Sequence, residues 1–293
     1  MKRSRSYQVV DVFTRKPLLG NPVAVVLDAG DLSTDAMQAI ARWTNLSETT
    51  FVLPPTTAQA DYRLRIFTPR TELPFAGHPT LGSAHAILEA GVVTPRRSGR
   101  LVQESGVGLV DVTFGTRDGV RELAFELPPA KFEPLPAAEV NALGRIVGCR
   151  VDAKSEPAIV DVGPRWVVAQ MADATAVIDL QPDLARLADF ERRLGVTGLT
   201  VFGTCGTGDD AIEVRTFAPS SGVDEDPVCG SGNGSVAAFR WARGLLPSGG
   251  ADYLATQGRR VGRDGHVYVK VDVEGKVRVG GSCVTCVEGS LAL

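Results

Sequence analysis

Polar and apolar positions alternate in the opening stretch, with Tyr7, Val9 and Asp11 on one side and Gln8, Val10 and Val12 on the other, which predicts a strand. The period then changes. Ser33 and Asp35 supply N-terminal capping chemistry for a helix that runs to about Trp43. Two further strands follow, "TTFVLPP" from Thr49 and "YRLRIFTP" from Tyr62, the second setting Tyr62, Leu64 and Ile66 against Arg63, Arg65 and Phe67. A turn-rich loop then enters a helix that is apolar on most sides, with Leu81, Ala84, Ala86, Ile87 and Leu88, so burial all round is predicted. A second such helix carries Val236, Ala237, Ala238, Phe239 and Trp241. "GVGLVDVTF" with "VRELAFELPP", and "GHVYVKVDVEGKVRVGGS", read as hairpins, with "EGK" at 274–276 as a tight turn.

These elements occur twice. "VVDVF" at 9–13 is answered by "IVDVG" at 159–163, and "RIFTP" at 65–69 by "RTFAP" at 215–219, both 150 residues on. "TTFVLPP" from Thr49 matches "TVFGTCG" from Thr200 at an offset of 151, and Gly77 to Gly91 matches Gly230 to Gly244 at 153. The expected fold is therefore α+β, two pseudo-symmetric halves, each a barrel-like and mostly antiparallel sheet around a central helix. The halves fall at 1–130 and 131–293, with a boundary in the Pro-rich "LPPAKFEPLP" at 127–136 and the C-terminal segment a candidate to pack back on the first half.

Composition narrows the function. With 44% hydrophobic and 22% charged residues and a net charge of −3, the chain has neither the bias of a disordered segment nor the basic excess of a nucleic-acid binder. The basic start is short and Asp11 interrupts the apolar run after it, so no signal peptide and no membrane span is expected; the expectation is a cytoplasmic protein. Five cysteines, at 149, 205, 229, 283 and 286, fit reduced thiols better than a disulfide framework. Cys283 and Cys286 form a CxxC on a strand-like stretch, where side chains three apart face opposite ways, and nothing nearby completes a tetrahedral metal site.

The candidate chemistry lies where each buried helix begins. The first N–H groups of a helix have no partner within it, and the macrodipole adds positive character. Gly77-His78-Pro79 in one copy and Gly230-Ser231-Gly232 in the other would let a carboxylate approach the backbone, and if the halves face one another, both helix ends point into one cleft. "GSGNGS" lacks the third glycine of a dinucleotide fingerprint and the lysine of a phosphate loop. Glu48, in "NLSETTF", has Leu199 at its repeat position and so is a candidate for chemistry that one copy alone performs; the bland alternative is a solvated loop acid. His78 at a helix start is an acid or donor, or simply a capping or core histidine. Asp226 before Pro227 is a functional carboxylate or a turn residue, and Cys229 at a helix start is a reactive thiol or a packing residue.

The segments "GNPVAVV" (20–26), "LSETTFVLPP" (46–55), "RIFTPRTELPFAGHPTLGSA" (65–84) and "EDPVCGSGNG" (225–234) resemble, in order and over nearly the whole chain, the phenazine-biosynthesis F-type isomerase family. The resemblance implies the diaminopimelate epimerase-like fold, with the site between the halves and no metal or organic cofactor. It implies that Glu48 is the acid/base that removes a proton from one carbon and returns one to another. It assigns His78, Asp226 and Ser231 to holding the substrate and assisting proton movement, Gly77 and Gly230 to offering backbone N–H groups, and Asn21 to a place alongside. The expected partner is a small-molecule carboxylate, and a homodimer is common in such families. One residue departs from the pattern: Cys229 stands where the phenazine enzymes have a threonine-like residue, while related epimerases and racemases use a cysteine in a similar setting. Three functions therefore stay open: a Glu48-dependent isomerase, a two-base Glu48/Cys229 epimerase or racemase, and a non-catalytic small-molecule binding protein.

Overall fold

The structure, a computed structural model, describes residues 3–149, 151, 155–206 and 211–293. The chain forms two compact units, Met1–Phe125 with Gly280–Leu293, and Glu126–Val279.

The first unit contains β1 (Ser4–Val12), β2 (Asn21–Val26), α1 (Thr34–Thr44), β3 (Glu48–Leu53), β4 (Tyr62–Phe67), β5 (Glu72–Leu73), α2 (Gly77–Ala90), β6 (Arg100–Ser105), β7 (Gly108–Arg117) and β8 (Val120–Glu126). The second contains β9 (Lys131–Pro134), α3 (Ala137–Val147), β10 (Ala158–Asp161), β11 (Arg165–Gln170), α4 (Ala174–Asp179), α5 (Leu184–Leu194), β12 (Gly198–Thr204), β13 (Ala211–Ala218), β14 (Val223–Asp226), α6 (Gly230–Ala242), β15 (Ala251–Gln257) and β16 (Gly265–Val271). The last strand, β17 (Val277–Ala292), starts in the second unit and runs on into the first.

In the first unit the ladder closes on itself. β1 lies between β17 and β2, the run continues through β3, β4, β6, β7 and β8, and β8 meets β17 again, making a closed barrel of eight strands. Closure leaves no bare sheet edge in the ring. The alternating stretch of Tyr7 to Val12 is β1, whose Val10 and Val12 are fully buried.

The helix against the barrel wall is α2, and every residue from His78 to Ile87 is buried. Its approach depends on Gly82, where a Cβ would collide with the methyl groups of Val23 and Val12. The predicted capping of α1 is present: Ser33 Oγ accepts from Ala36 N, and Asn45 ends the helix in the left-handed region at φ 54°.

The second unit repeats the order of pairings. β1–β2 antiparallel, β2–β3 parallel, β3–β4 antiparallel, β4–β6 parallel and β6–β7 antiparallel are matched in turn by β10–β11, β11–β12, β12–β13, β13–β15 and β15–β16. β9 pairs with β10 as β17 pairs with β1. Among the described residues two helices, α3 and α4, have no counterpart in the first unit, and with α5 they share one core with the sheet, in which Leu143, Val177, Leu187 and Phe190 join Val167, Val201 and Phe217.

The ladders also correct one expectation. The register pairs Val10 with Val23 and Val23 with Glu48; in the repeat it pairs Val160 with Trp166 and Trp166 with Gly198. The structural counterpart of Glu48 is therefore Gly198, one residue before the Leu199 that sequence spacing selects. The reason is loop length. Twelve residues lie between the paired Val10 and Val23 and five between the paired Val160 and Trp166, so the offset slips by seven, from 150 to 143, at β2 before returning to 150 at β3.

All five cysteines are free thiols. Cys283 faces Val12 across the β1–β17 ladder and is buried, so the CxxC is part of a strand. Among the described residues no helix is long and apolar enough to cross a membrane.

Candidate active site

Glu48 opens β3, next to Val23 of β2, and its side chain is only 16% exposed. Its Oε2 lies 3.3 Å from Nε2 of His78, in the first turn of α2. Burial pushes the Glu48 carboxyl from its ordinary 4.5 up to about 7, against a smaller lowering from a hydrogen bond with Ser47. A carboxyl in that range takes and gives a proton near neutral pH. Asn21, the first residue of β2, is buried in the same unit.

No side chain caps the start of α2, where the N-cap is Ala76. The glycine beside His78 is needed for packing. A Cβ on Gly77 would lie 2.7 Å from the ring of Phe125, which itself meets Phe75 edge-on at 5.5 Å. The ring of Phe125 thus fills the space on that side of Gly77.

In the second unit the corresponding turn runs from Asp226 to Ser231. Asp226 ends β14 and faces Thr216 of β13, and its Oδ1 accepts from Val228 N at 3.1 Å. Its backbone carbonyl accepts from Gln257 Nε2, whose Oε1 in turn accepts from Cys229 N and from Asn233 Nδ2. Cys229 is the N-cap of α6, its Sγ accepting from Gly232 N at 3.3 Å, and Gly230 is buried in the first turn. Ser231 Oγ is 3.6 Å from Cys229 Sγ.

Cys229 sits at a helix start, which favours a thiolate, yet its pKa is raised well above the ordinary value of 9.0. Burial is the main cause and the nearby Asp226 charge adds to it; hydrogen bonds from Ser231 and Gly232 oppose them and are outweighed. Burial thus favours the neutral thiol, whose Sγ accepts from Gly232 N at the start of α6.

Sequence spacing does not find Trp166, which occupies the ladder position of Val23 and stands over Gly198, the counterpart of Glu48. A Cβ on Gly198 would come within 2.7 Å of the indole, so the ring fills the space a side chain would need. Trp166 Nε1 donates to Ser231 Oγ at 3.1 Å, and Ser231 holds the repeat position of His78. Where one unit sets a carboxyl beside a histidine, the other sets an indole against a serine. The slip in offset at β2 hides this from any comparison made at a fixed spacing.

Cavities of about 500 Å³ in the first unit, around Asp61, Arg96, Arg100 and Asp111, and about 360 Å³ in the second, around Leu127, Phe132 and Trp241, contain none of these residues. Among the described residues, no group of three or more His, Cys, Asp or Glu gathers as a metal centre would require.

A family model described as phenazine biosynthesis-like protein matches residues 10–289. The sequence is 41% identical over 292 residues to antisense-enhancing sequence 1 of Schizosaccharomyces pombe, covering 97% of each chain. It is 36% identical over 293 residues to a trans-2,3-dihydro-3-hydroxyanthranilate isomerase of Pseudomonas aeruginosa, covering 97% of this chain and 98% of that one. The crystal structure of a Bacillus anthracis phenazine biosynthesis protein is similar at a TM-score of 0.87 and 24% identity, over 99% of this chain and 100% of that one. A hydroxyproline epimerase from Agrobacterium vitis shares the fold at a TM-score of 0.66 and 16% identity, over 100% of this chain and 94% of that one.

Proposed function

The chain belongs to the phenazine biosynthesis-like protein family and is an isomerase, and on that premise we propose that it relocates a proton on a small carboxylate-bearing metabolite with Glu48 as acid and base. One observation carries the reading: a buried carboxyl with its pKa near 7, set 3.3 Å from His78 at the start of a buried helix. In its ionised form Glu48 removes a proton from carbon; once protonated it returns one to a second carbon of the same molecule. A single group that does both delivers the proton to the face from which it took it.

His78 and the uncapped start of α2 supply polar and positive character for the charge that builds on the substrate. Asn21, Gly77, Asp226, Gly230 and Ser231 belong to the same proposal as substrate-holding groups. The Pseudomonas relative is named for a hydroxylated dihydroanthranilate, and the part extended to this chain is the chemical class, a carboxylate bearing an abstractable C–H proton.

In the two-base alternative Cys229 is the base in one direction and the proton donor in the other, and burial beside Asp226 opposes the thiolate that the first of these needs. The test is incubation of the wild-type chain and Glu48→Gln with a metabolite extract in deuterated water, followed by mass spectrometry. The expected result is a carboxylate metabolite that gains deuterium with wild type only. Equal labelling by the Gln variant would sink the proposal.

A further inference from the structure

Both units contain the same bidentate ion pair at equivalent places. Arg65 of β4 donates to Glu72 of β5 through Nε and Nη2 at 2.7 and 2.6 Å; Arg215 of β13 donates to Glu225 of β14 through the same two nitrogens at 2.9 and 2.7 Å. The arginines are 150 residues apart and the glutamates 153, the two offsets of the repeat on either side of its insertion. Each guanidinium also lies over the ring two residues on, Phe67 at 5.1 Å and Phe217 at 4.9 Å.

In each unit the glutamate sits on a very short return strand just before the buried helix. β14 has only two ladder pairs with β13, and its register breaks between them. Backbone pairing alone therefore holds Asp226 weakly. Arg215 adds what the ladder lacks: besides Glu225, its Nη1 donates to the carbonyls of Val177, Ile178 and Leu180 at the end of α4, so the return strand is tied to a helix. The Arg215 and Glu225 side chains are only 6% and 11% exposed, whereas those of Arg65 and Glu72 are 17% and 39% exposed, so the pair is buried in the second unit alone.

A buried ion pair adds little net stability compared with apolar residues of the same volume, and its best-attested service is to fix position. Both copies have this pair although their helix starts have diverged to His78 and Ser231. The residue after the glutamate is Leu73 in one copy and Asp226 in the other, paired with Ile66 and Thr216 at the same rung. We propose that Arg215 and Glu225 are positioning residues, a clamp that fixes the carboxylate of Asp226 and the entry into α6; the more open Arg65–Glu72 pair is its counterpart in the first unit. The functional part of this proposal rests on the role given to Asp226 above.

The test uses the full-length protein and two buried thiols, Cys229 beside the second clamp and Cys283 in the first unit. Wild type, Glu225→Gln, Arg215→Lys and Glu72→Gln are treated with iodoacetamide, and each cysteine is followed by peptide mass spectrometry. Glu225→Gln should raise the alkylation rate of Cys229 about tenfold, equivalent to ~1.4 kcal/mol of local opening. Cys283 should then change less than about twofold, and Glu72→Gln should leave Cys229 protected. Unchanged protection of Cys229 in Glu225→Gln would overturn the clamp, and so would Cys229 and Cys283 opening together, which marks general unfolding.

If Arg215→Lys does not fold, Glu225→Gln decides alone, because it keeps a hydrogen-bonding side chain in place. On the metabolite identified by deuterium labelling, Glu225→Gln should lower kcat more than it raises KM. If Cys229 opens as expected while Asp226→Asn remains fully active, the clamp stands and the role of Asp226 falls.

Discussion

Trp166 donates its indole N–H to Ser231 at 3.1 Å from the ladder position that Val23 holds in the first unit, where the neighbouring strand presents Glu48. The two copies of one topology thus arrive at different chemistry. The first makes room for a carboxyl by placing a small Val23 beside it. The second spends the same space on an indole and leaves glycine at position 198.

Glu48→Gln should reduce isomerase turnover by two to four orders of magnitude, the usual contribution of a positioned acid/base, while the circular dichroism spectrum stays that of wild type. For wild type, the ionised form starts the reaction, so kcat/KM should rise with pH through about 7 and level off above it. A rate independent of pH between 5 and 9 would contradict Glu48 as the base.

The same shift makes a signed prediction about stability. The folded carboxyl has its pKa raised from 4.5 to about 7, so the folded state holds the proton more tightly than the unfolded one. Below pH 4.5 both states are protonated and Glu48 costs nothing; between 4.5 and about 7 stability falls as pH rises, and above 7 the full penalty remains. Glu48→Gln should therefore stabilise the protein by on the order of 3 kcal/mol at pH 8 relative to its effect at pH 4, measured by urea unfolding at both pH values.

Gly198→Ala should destabilise by roughly 1–3 kcal/mol, because its methyl group meets both the Trp166 ring and the Phe217 carbonyl. Trp166→Phe replaces the indole with a smaller ring, losing both the hydrogen bond to Ser231 and part of the packing over Gly198, and a cost of roughly 1–3 kcal/mol is expected. Denaturant midpoints of the two single variants check both figures.

Cys229→Ser should retain activity and stability, since a serine hydroxyl caps the Gly232 N–H as the thiol does. Cys229→Ala should lose about 1 kcal/mol with its cap. Loss of activity in the serine variant with the fold intact would restore the two-base mechanism.

Much of the architecture is legible along the chain because it rests on local rules. Alternation places Val10 and Val12 in a strand, Ser33 starts α1, and residues apolar on most sides predict that α2 and α6 are buried. The repeat is legible too, since elements related by duplication preserve their order and nearly their spacing. The motif "FAGHP" points to His78 and "SETT" to Glu48, and these residues meet at 3.3 Å.

Other features were decided by tertiary structure alone. Gly198 as the counterpart of Glu48 follows from ladder register, and register depends on a shorter loop between β10 and β11 that shifts the spacing before the strands regain it. A helix start should favour a Cys229 thiolate, but the packing around it removes water and sets Asp226 nearby, and burial outweighs the helix end. The Glu48 carboxyl is raised to about 7 by the same loss of solvent. The sequence by itself determined which residues are present and which elements they form; only the folded chain decided which groups lose their water, and that loss sets their protonation.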